Sequence, residues 1–126
     1  MTSMDIVFDT GAPQTTGPEN VVKAYYSKVP GAKDTSQAKD GSGWTVPCGS
    51  NLPDLELRFN SGGNNAVALI PGSKFLMGNT QKTGDCQSWF AKEGSANRGA
   101  VGDPFFIQHT VIYNQQDATI SWGNQK

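Results

Sequence analysis

The sequence predicts a mostly β fold with one main helix near residues 18–29. Glycine, asparagine, serine and proline recur about every eight to twelve residues, a spacing typical of short strands joined by turns. Hydrophobic residues make up 36% of the 126 residues, and 15 glycines add to the apolar share, as in ordinary globular chains. A chain of this length is expected to form one core, so we assign residues 1–126 to a single domain.

Several short segments have strand character because apolar, β-branched and aromatic residues lie between turn-forming residues. They are residues 5–8, 55–59, 67–70, 74–77, 86–90, 111–113 and 119–122. In the second of these, Leu55, Leu57 and Phe59 alternate with charged residues, so one face of the strand is predicted to be buried and the other exposed. The glycine-bearing residues 60–65 then predict the turn of a hairpin.

The main helix is predicted from residue types at both of its ends. Pro18 suits a first helical position, Glu19 lies in the first turn, and apolar residues recur at helical spacing until Pro30 and Gly31. This helix should pack on the sheet.

Two further segments carry weaker patterns. Residues 103–108 predict a shorter helical turn, because Pro104 again fits the first turn. Residues 31–43 are polar and contain glycine without periodicity, so a surface loop is predicted there.

Composition disfavours several classes of partner. The net charge is −1 and no basic patch stands out, so we expect neither nucleic acid nor membrane as a partner. The two cysteines, Cys48 and Cys86, match no zinc or redox spacing, and no metal or other cofactor is expected. By their spacing alone, the cysteines are compatible either with a disulfide or with two buried thiols.

The chemistry of the chain centres on Asp9-Thr10-Gly11, which we name as the candidate catalytic residues. They follow directly on the apolar residues 6–8, so the aspartate lies at the end of a strand and the glycine lets the chain turn behind it. This geometry can present a carboxylate. By average residue usage the tripeptide would occur by chance in about one chain of this length in forty, and an ordinary turn explains it equally well.

Downstream segments give the motif more weight because of their order. They are the helical segment 18–32, Val46-Pro47-Cys48, Leu52-Pro53-Asp54-Leu55, Ile70-Pro71-Gly72-Ser73, Cys86, Ala100-Val101-Gly102-Asp103-Pro104-Phe105-Phe106, and the closing segments Val111-Ile112-Tyr113 and Ile120-Ser121-Trp122-Gly123. In type and order they resemble the C-terminal lobe of fungal pepsin-like aspartic peptidases. The resemblance runs from about Ile6 to Gly123.

The resemblance implies a fold and a mechanism. The fold is a single pepsin-like lobe, with Cys48 and Cys86 in the position of that lobe's disulfide. In the family, two aspartates, one from each lobe, share a proton and hold a water between them, and Asp9 would be one of the two. Two carboxylates pressed together cannot both ionise, so one stays protonated, and a single carboxylate lacks this property.

The sequence departs from the family pattern in three ways. It contains neither an N-terminal lobe, with its partner aspartate and flap hairpin, nor the strands that normally precede the catalytic loop, since eight residues stand before Asp9. Pepsin-like chains usually have Ser or Thr after the motif, whereas this chain has Ala12. Retroviral peptidases, which are homodimers of one short lobe each, do use Asp-Thr-Gly-Ala, so a homodimer is one expectation here.

Three functional hypotheses follow. In the first, Asp9 is half of an aspartic-peptidase dyad that a second copy or a complementary lobe completes, and the ligand is a peptide. In the second, the lobe is repurposed as a small-molecule enzyme, for example a cyclase or isomerase that uses the half-cleft and one carboxylate, or as a binding protein for a hydrophobic small molecule. In the third, the chain is a fragment with no function of its own. The family resemblance suggests a secreted or vacuolar location, while the lack of a signal peptide in this sequence suggests the cytoplasm or a shortened chain.

Other candidate residues are given structural roles. Asp103 is expected to be a structural residue near the core, because that is the role of its counterpart in the family. His109, the only histidine, is expected to be a packing or surface residue because it has no visible partner for acid–base work. Trp122 falls in the closing strand pattern and is assigned to the core, while Trp89 is left open as a ligand-stacking residue.

Overall fold

The computed structural model describes residues 5–35, 43–61, 63–76, 83–93 and 97–124. The strands are β1 Asp5–Phe8, β2 Thr15–Gly17, β3 Lys33–Asp34, β4 Trp44–Pro47, β5 Leu55–Ser61, β6 Asn64–Ile70, β7 Asp85–Gln87, β8 Phe90–Lys92, β9 Arg98–Val101, β10 His109–Asn114 and β11 Thr119–Asn124. The helices are α1 Glu19–Tyr26, α2 Asp103–Phe106 and a 3₁₀ helix, Gly72–Leu76. The described chain is therefore mostly β with α1 as its main helix, which confirms the predicted fold class.

The largest sheet joins the start of the chain to a segment near residue 100. Its strand order is β1-β9-β2-β8, in which β1 runs parallel to β9, β2 runs antiparallel to β9, and β2 runs parallel to β8. Phe8 pairs with Val101 at the carboxyl end of β1. Among the described strands, β1 lies at the edge of this sheet.

The remaining strands form one three-stranded sheet, β3-β4-β7, and two hairpins, β5-β6 and β10-β11. Cys48, just after β4, forms a disulfide with Cys86 in β7. The disulfide that the family resemblance implied is therefore present, and it lies beside the paired strands β4 and β7.

The predicted hairpin is confirmed, with a tighter turn than predicted. β5 and β6 pair from Leu55 opposite Ile70 to Ser61 opposite Asn64, so the pairing extends through most of the residues predicted to be turn. Gly63 has a φ of 85°, a left-handed conformation that glycine adopts without strain. The alternation is also confirmed, because the apolar residues of β5 are partly buried while Glu56 is exposed.

One predicted strand is wrong. Residues 72–76 form a 3₁₀ helix where residues 74–77 were predicted as a strand, and residue 77 lies outside the described residues. The Asp54 carboxylate accepts the Gly72 N–H at 2.9 Å, and the Lys74 N–H donates to the Pro71 carbonyl at 2.9 Å. These two hydrogen bonds stabilise the 3₁₀ helix, and neither of them belongs to a strand pairing.

A second predicted strand, residues 86–90, is divided between two sheets. Its first part lies in β7 and its last residue begins β8, because Ser88 and Trp89 carry the chain from one sheet to the other. The sequence did not predict β2, β3, β4 or β9. The predicted loop at residues 31–43 contains the two residues of β3, and residues 36–42 lie outside the described residues.

Both predicted helices are present. Pro18 stands one residue before α1 as its N-cap, and the helix buries Val22, Tyr25 and Tyr26. α2 has Pro104 in its first turn, as predicted. The helical pattern found in the sequence therefore marks the face of α1 that packs on the core.

The core is rich in aromatic contacts. Tyr26 stacks on Trp44, with ring centroids 4.5 Å apart and an interplanar angle of 11°. Tyr25 packs edge-on against Phe75 and Phe90, whose own ring centroids lie 5.5 Å apart. These rings come from the helix α1, the 3₁₀ helix and two sheets, so their packing ties the elements together.

The hydroxyl groups of the two α1 tyrosines are satisfied inside the protein. The Tyr26 hydroxyl lies 2.6 Å from both the Phe90 carbonyl oxygen and the Ser88 hydroxyl. Because a carbonyl can only accept, Tyr26 donates to Phe90, and its oxygen is left to accept from Ser88. The Tyr25 hydroxyl donates to the Pro53 carbonyl. Burial raises the pKa of both tyrosines above the ordinary tyrosine value.

We expect the disulfide to make a large contribution to stability. Replacing both Cys48 and Cys86 by Ser should lower the free energy of unfolding by about 3 to 4 kcal/mol, because the unfolded chain regains the entropy of an open loop. Urea unfolding of the oxidised protein and of the double variant measures the difference. A non-reduced peptide map of the oxidised protein is the control, and equal stabilities would contradict the expectation.

We expect stability to fall at alkaline pH through Tyr25 and Tyr26. Because the pKa of both tyrosines is raised in the folded state, the unfolded chain loses these protons first as the pH rises. The stability that the two tyrosines contribute is therefore fully present below about pH 10 and is lost as the pH rises further. Each tyrosine contributes a slope of up to about 1.4 kcal/mol per pH unit. Tyr26→Phe should reduce the slope measured by urea unfolding between about pH 8 and pH 11. Equal slopes in the variant and the wild type would contradict this, since lysine titration is common to both.

Candidate active site

Asp9 continues the β1–β9 pairing by one residue before the chain turns. Its N–H donates to the Val101 carbonyl at 3.0 Å, and its own carbonyl accepts the Ala12 N–H at 3.2 Å. Asp9, Thr10 and Gly11 are all exposed. The sheet therefore carries the three candidate residues to the surface and the turn keeps them there.

The Asp9 carboxylate is held by the turn that follows it. The Gly11 N–H donates to Asp9 Oδ1 at 2.9 Å. A backbone donor two residues away fixes the direction of the side chain without a partner from another element. This arrangement can present an oriented carboxylate to a group outside the chain.

The turn formed by residues 9–12, the Asp9 turn, packs with the residue that follows it against the segment between β9 and α2. The Asp103 N–H donates to the Ala12 carbonyl at 3.0 Å. A Cβ on Gly102 would lie 2.2 Å from the Gln14 carbonyl oxygen and 2.4 Å from that of Ala12. The backbone of the Asp9 turn therefore rests directly on Gly102, where only glycine leaves enough room.

The residue before Asp9 is anchored in an aromatic cluster. The Phe8 ring lies 5.4 Å from Trp122, 5.7 Å from Phe105 and 5.9 Å from Phe59, measured between ring centroids. These three rings come from β11, α2 and β5. Since Phe8 is fixed by three separate elements, the peptide that leads to Asp9 has a defined position.

The Tyr113 hydroxyl also contacts this peptide, donating to the Phe8 carbonyl at 3.2 Å. The sequence did not predict this contact, although Tyr113 belongs to the closing segment Val111-Ile112-Tyr113. The residues are 105 positions apart. Only the placement of β10 next to β1 brings them together.

The contacts of the other candidate residues, Asp103, His109, Trp122 and Trp89, are as follows. Asp103 opens α2 and uses its backbone to hold the Asp9 turn. His109 is 6% exposed, and its ring stacks on Phe105 at a centroid distance of 4.0 Å. The Trp122 indole packs on Phe8 and donates to the Val67 carbonyl. Trp89 is partly buried, and its backbone bonds to Phe75 and Thr15.

A small cavity lies elsewhere, between the large sheet, α1 and β5. It has a volume of about 20 Å³, and its lining is mostly apolar, including Ile6, Val21, Leu57 and Phe90. This volume holds about one water molecule. It is far too small for a substrate, and its lining does not include the candidate catalytic residues.

The described part of the chain was compared with two patterns, a metal-binding cluster and a membrane-spanning helix, and it contains neither. Among its residues, no group of three or more His, Cys, Asp or Glu side chains could hold a metal ion. No helix formed by the described residues is long and apolar enough to cross a membrane.

We expect Gly102→Ala to disturb the site and to destabilise the fold. The new methyl group would overlap the Gln14 and Ala12 carbonyls, and the strain should cost about 1 to 3 kcal/mol. Gly49→Ala is the matched control, because a Cβ added at that position has no atom within 4 Å apart from those of Gly49 and its two neighbours in the chain. Thermal unfolding of the two variants measures the difference, and equal losses would show that the Asp9 turn does not rest on Gly102.

Comparison with known proteins shows which family this chain is similar to. The model of the eukaryotic aspartyl protease family matches residues 1–125. A probable aspartic-type endopeptidase of Arthroderma benhamiae is 32% identical over 120 residues, which are 91% of this chain and 26% of the relative. Aspartic protease PEP1 of the same organism is 34% identical over 126 residues, 98% of this chain and 29% of the relative. Penicillopepsin-2 of Penicillium janthinellum is 30% identical over 124 residues, 98% of this chain and 30% of the relative.

The chain thus spans between 26% and 30% of the length of these relatives. Its exposed Asp-Thr-Gly turn, its disulfide and its mostly β fold agree with the resemblance found in the sequence. The family model covers nearly the whole chain. The chain therefore belongs to the eukaryotic aspartyl protease family, and it corresponds to less than a third of the length of the relatives compared.

Proposed function

We propose that Asp9 supplies one carboxylate of an aspartic endopeptidase dyad, and that a complementary lobe or a second copy of this chain supplies the other. The observation that carries the proposal is the exposed Asp9 carboxylate, held at Oδ1 by the Gly11 N–H on a turn anchored to β9 and α2. Such a turn fixes one carboxylate and leaves its outer side accessible to a second.

The chemistry needs both groups because each has a different task. An ionised carboxylate takes a proton from water as the water oxygen attacks the scissile carbonyl carbon. A protonated carboxyl group gives its proton to the carbonyl oxygen, which becomes a hydroxyl. Two adjacent carboxylates provide both states at one pH, because repulsion between like charges keeps one of them protonated. Asp9 alone provides one state at a time.

The surface around Asp9 supports the presence of a partner. Val7 is 39% exposed, and Tyr113 and Ile120, which pair across β10 and β11, are 47% and 41% exposed. Ile112, the residue before Tyr113 in β10, is 60% exposed on the opposite face of the hairpin. Neighbouring exposed apolar side chains, such as those of Tyr113 and Ile120, can form part of an interface. A lobe that covers them would also bring its own groups close to Asp9.

The relatives support the class of reaction and the need for more chain. Two of those compared are named as an aspartic-type endopeptidase and an aspartic protease, and this chain matches less than a third of each. We therefore propose a peptide as the substrate. The complementary lobe would be either a further part of a longer polypeptide or a second copy of residues 1–126.

The alternative, a repurposed lobe that uses one carboxylate on a hydrophobic small molecule, has no observation of its own among the described residues. The cavity of about 20 Å³ is not lined by Asp9 and cannot hold such a ligand. A single-carboxylate enzyme would be recognised by the dependence of hydrolysis on protein concentration and on Asp9.

We expect the isolated chain to lack peptidase activity when it is monomeric, because the dyad is then incomplete. Hydrolysis of a fluorogenic peptide at acid pH should be absent at concentrations where light scattering gives the monomer mass. If two copies form the dyad, activity should rise with the square of concentration at low concentration. Asp9→Asn should abolish it, and adding excess Asn-substituted chain to the wild type should inhibit, since mixed pairs hold one carboxylate.

Two outcomes would contradict the proposal. Hydrolysis that is first order in monomer and is lost in Asp9→Asn would favour a single-carboxylate enzyme. Hydrolysis that survives Asp9→Asn would place the site elsewhere. Asp117→Asn is the matched control, because this exposed carboxylate lies in the β10–β11 turn and bonds only locally, to Asn114.

A further inference from the structure

The peptide group between Phe8 and Asp9 is bound on both sides. Its N–H belongs to Asp9 and donates to the Val101 carbonyl at 3.0 Å. Its carbonyl belongs to Phe8 and accepts the Tyr113 hydroxyl at 3.2 Å. Because a trans peptide directs its N–H and C=O to opposite sides, the first bond faces β9 and the second faces the open edge of β1.

The closing hairpin reaches Phe8 through two side chains on one face. Trp122 lies opposite Val111 in the β10–β11 pairing, and Tyr113 follows Val111 by two residues, so the two aromatic side chains project from the same face. Trp122 stacks on the Phe8 ring at 5.4 Å, and Tyr113 bonds the Phe8 carbonyl. The contact between the Trp122 and Phe8 rings therefore positions the hairpin so that the Tyr113 hydroxyl reaches the Phe8 carbonyl.

We propose that Tyr113 is a positioning residue for Asp9, a role that rests on the proposed function of Asp9 in a dyad. The N–H and the carbonyl of this peptide are both hydrogen-bonded, so the plane of the peptide is held in place. The backbone can then rotate mainly about the bonds of the Asp9 Cα. The Gly11 N–H then restrains the side chain through Oδ1. Val101, Tyr113 and Gly11 together define where the carboxylate lies, and Tyr113 is the one whose side chain does so.

Such control matters because dyad chemistry depends on the relative position of two carboxylates. A displacement of about 1 Å in a reacting group costs about a hundredfold in rate. Since the partner carboxylate comes from another lobe, each lobe must hold its own group in place before the two meet. A side chain bonded to the peptide next to Asp9 does this more directly than one that contacts the turn farther along.

The test uses the whole chain and amide NMR, so it does not require activity. In Tyr113→Phe the ring remains and the hydroxyl is lost. The Phe8 carbonyl carbon resonance should move upfield, as expected for a lost hydrogen bond, and the amides of Asp9 and Gly11 should exchange with solvent about two- to tenfold faster. Gly11 is included because its amide reports on the Asp9 carboxylate, which a purely structural role of Tyr113 in the hairpin would not affect.

Tyr25→Phe is the matched control, because it removes another tyrosine hydroxyl that donates to a backbone carbonyl, that of Pro53. It should leave the Phe8 resonance and the relative exchange rates at Asp9 and Gly11 at their wild-type values. The proposal is overturned if Tyr113→Phe leaves these resonances and rates unchanged. It is also overturned if exchange quickens equally along β10 and β11, because the hydroxyl would then stabilise only the hairpin.

The outcome is separate from that of the peptidase assay. If hydrolysis never depends on Asp9 while the Phe8, Asp9 and Gly11 signals respond to Tyr113→Phe, the proposed dyad fails and Tyr113 still positions Asp9. If hydrolysis does depend on Asp9 while those signals do not respond, the dyad stands and the positioning role of Tyr113 fails.

Discussion

The parallel pairing of β1 with β9 is the interaction on which the site depends. It places the first described strand beside residues 98–101, and it ends where Asp9 donates to the Val101 carbonyl. The next residue of that neighbouring segment is Gly102, on which the Asp9 turn rests. Without this pairing, the turn would lose both the bond from Asp9 to Val101 and its contact with Gly102.

The aromatic cluster around Phe8 makes the pairing rigid. β1 has only four residues and lies at a sheet edge, so its own hydrogen bonds hold it weakly. The contacts of Phe8 with Phe59, Phe105 and Trp122 connect the strand to three other elements. His109, the only histidine, stacks on Phe105 and so supports this cluster from behind, which explains its burial without a catalytic role.

The sequence predicted those parts of the structure whose signals are local. The apolar residues of β1, the alternation along β5 and the helical spacing in α1 each lie within one element. By contrast, β2 is Thr-Thr-Gly and β9 is Arg-Gly-Ala-Val, and neither has an apolar pattern that marks a strand. Both strands exist because they pair with segments remote in sequence. The wrong strand at residues 74–77 has the same origin, since a distant carboxylate, that of Asp54, stabilises the 3₁₀ helix.

The candidate site shows the same division. Asp9, Thr10 and Gly11 could be named from three consecutive letters, and the bond from Gly11 to Asp9 Oδ1 is local as well. The roles of Tyr113 and Gly102 could not be named in this way, because each depends on a contact with a remote segment. The resemblance to a family identified the segments that contain both residues. It did not say which atoms they touch.

These contacts would also lower the free energy that association with a second lobe costs. Association with a second lobe costs less free energy when the groups that must meet are already ordered, because less conformational entropy is lost on binding. Here the peptide before Asp9, the turn after it and one carboxylate oxygen are all bound within the chain itself. In the proposed dyad, a partner lobe would still have to provide the second carboxylate and cover the exposed apolar residues of β1, β10 and β11. Because the turn is already ordered, the proposed dyad would form on docking without a rearrangement of the turn.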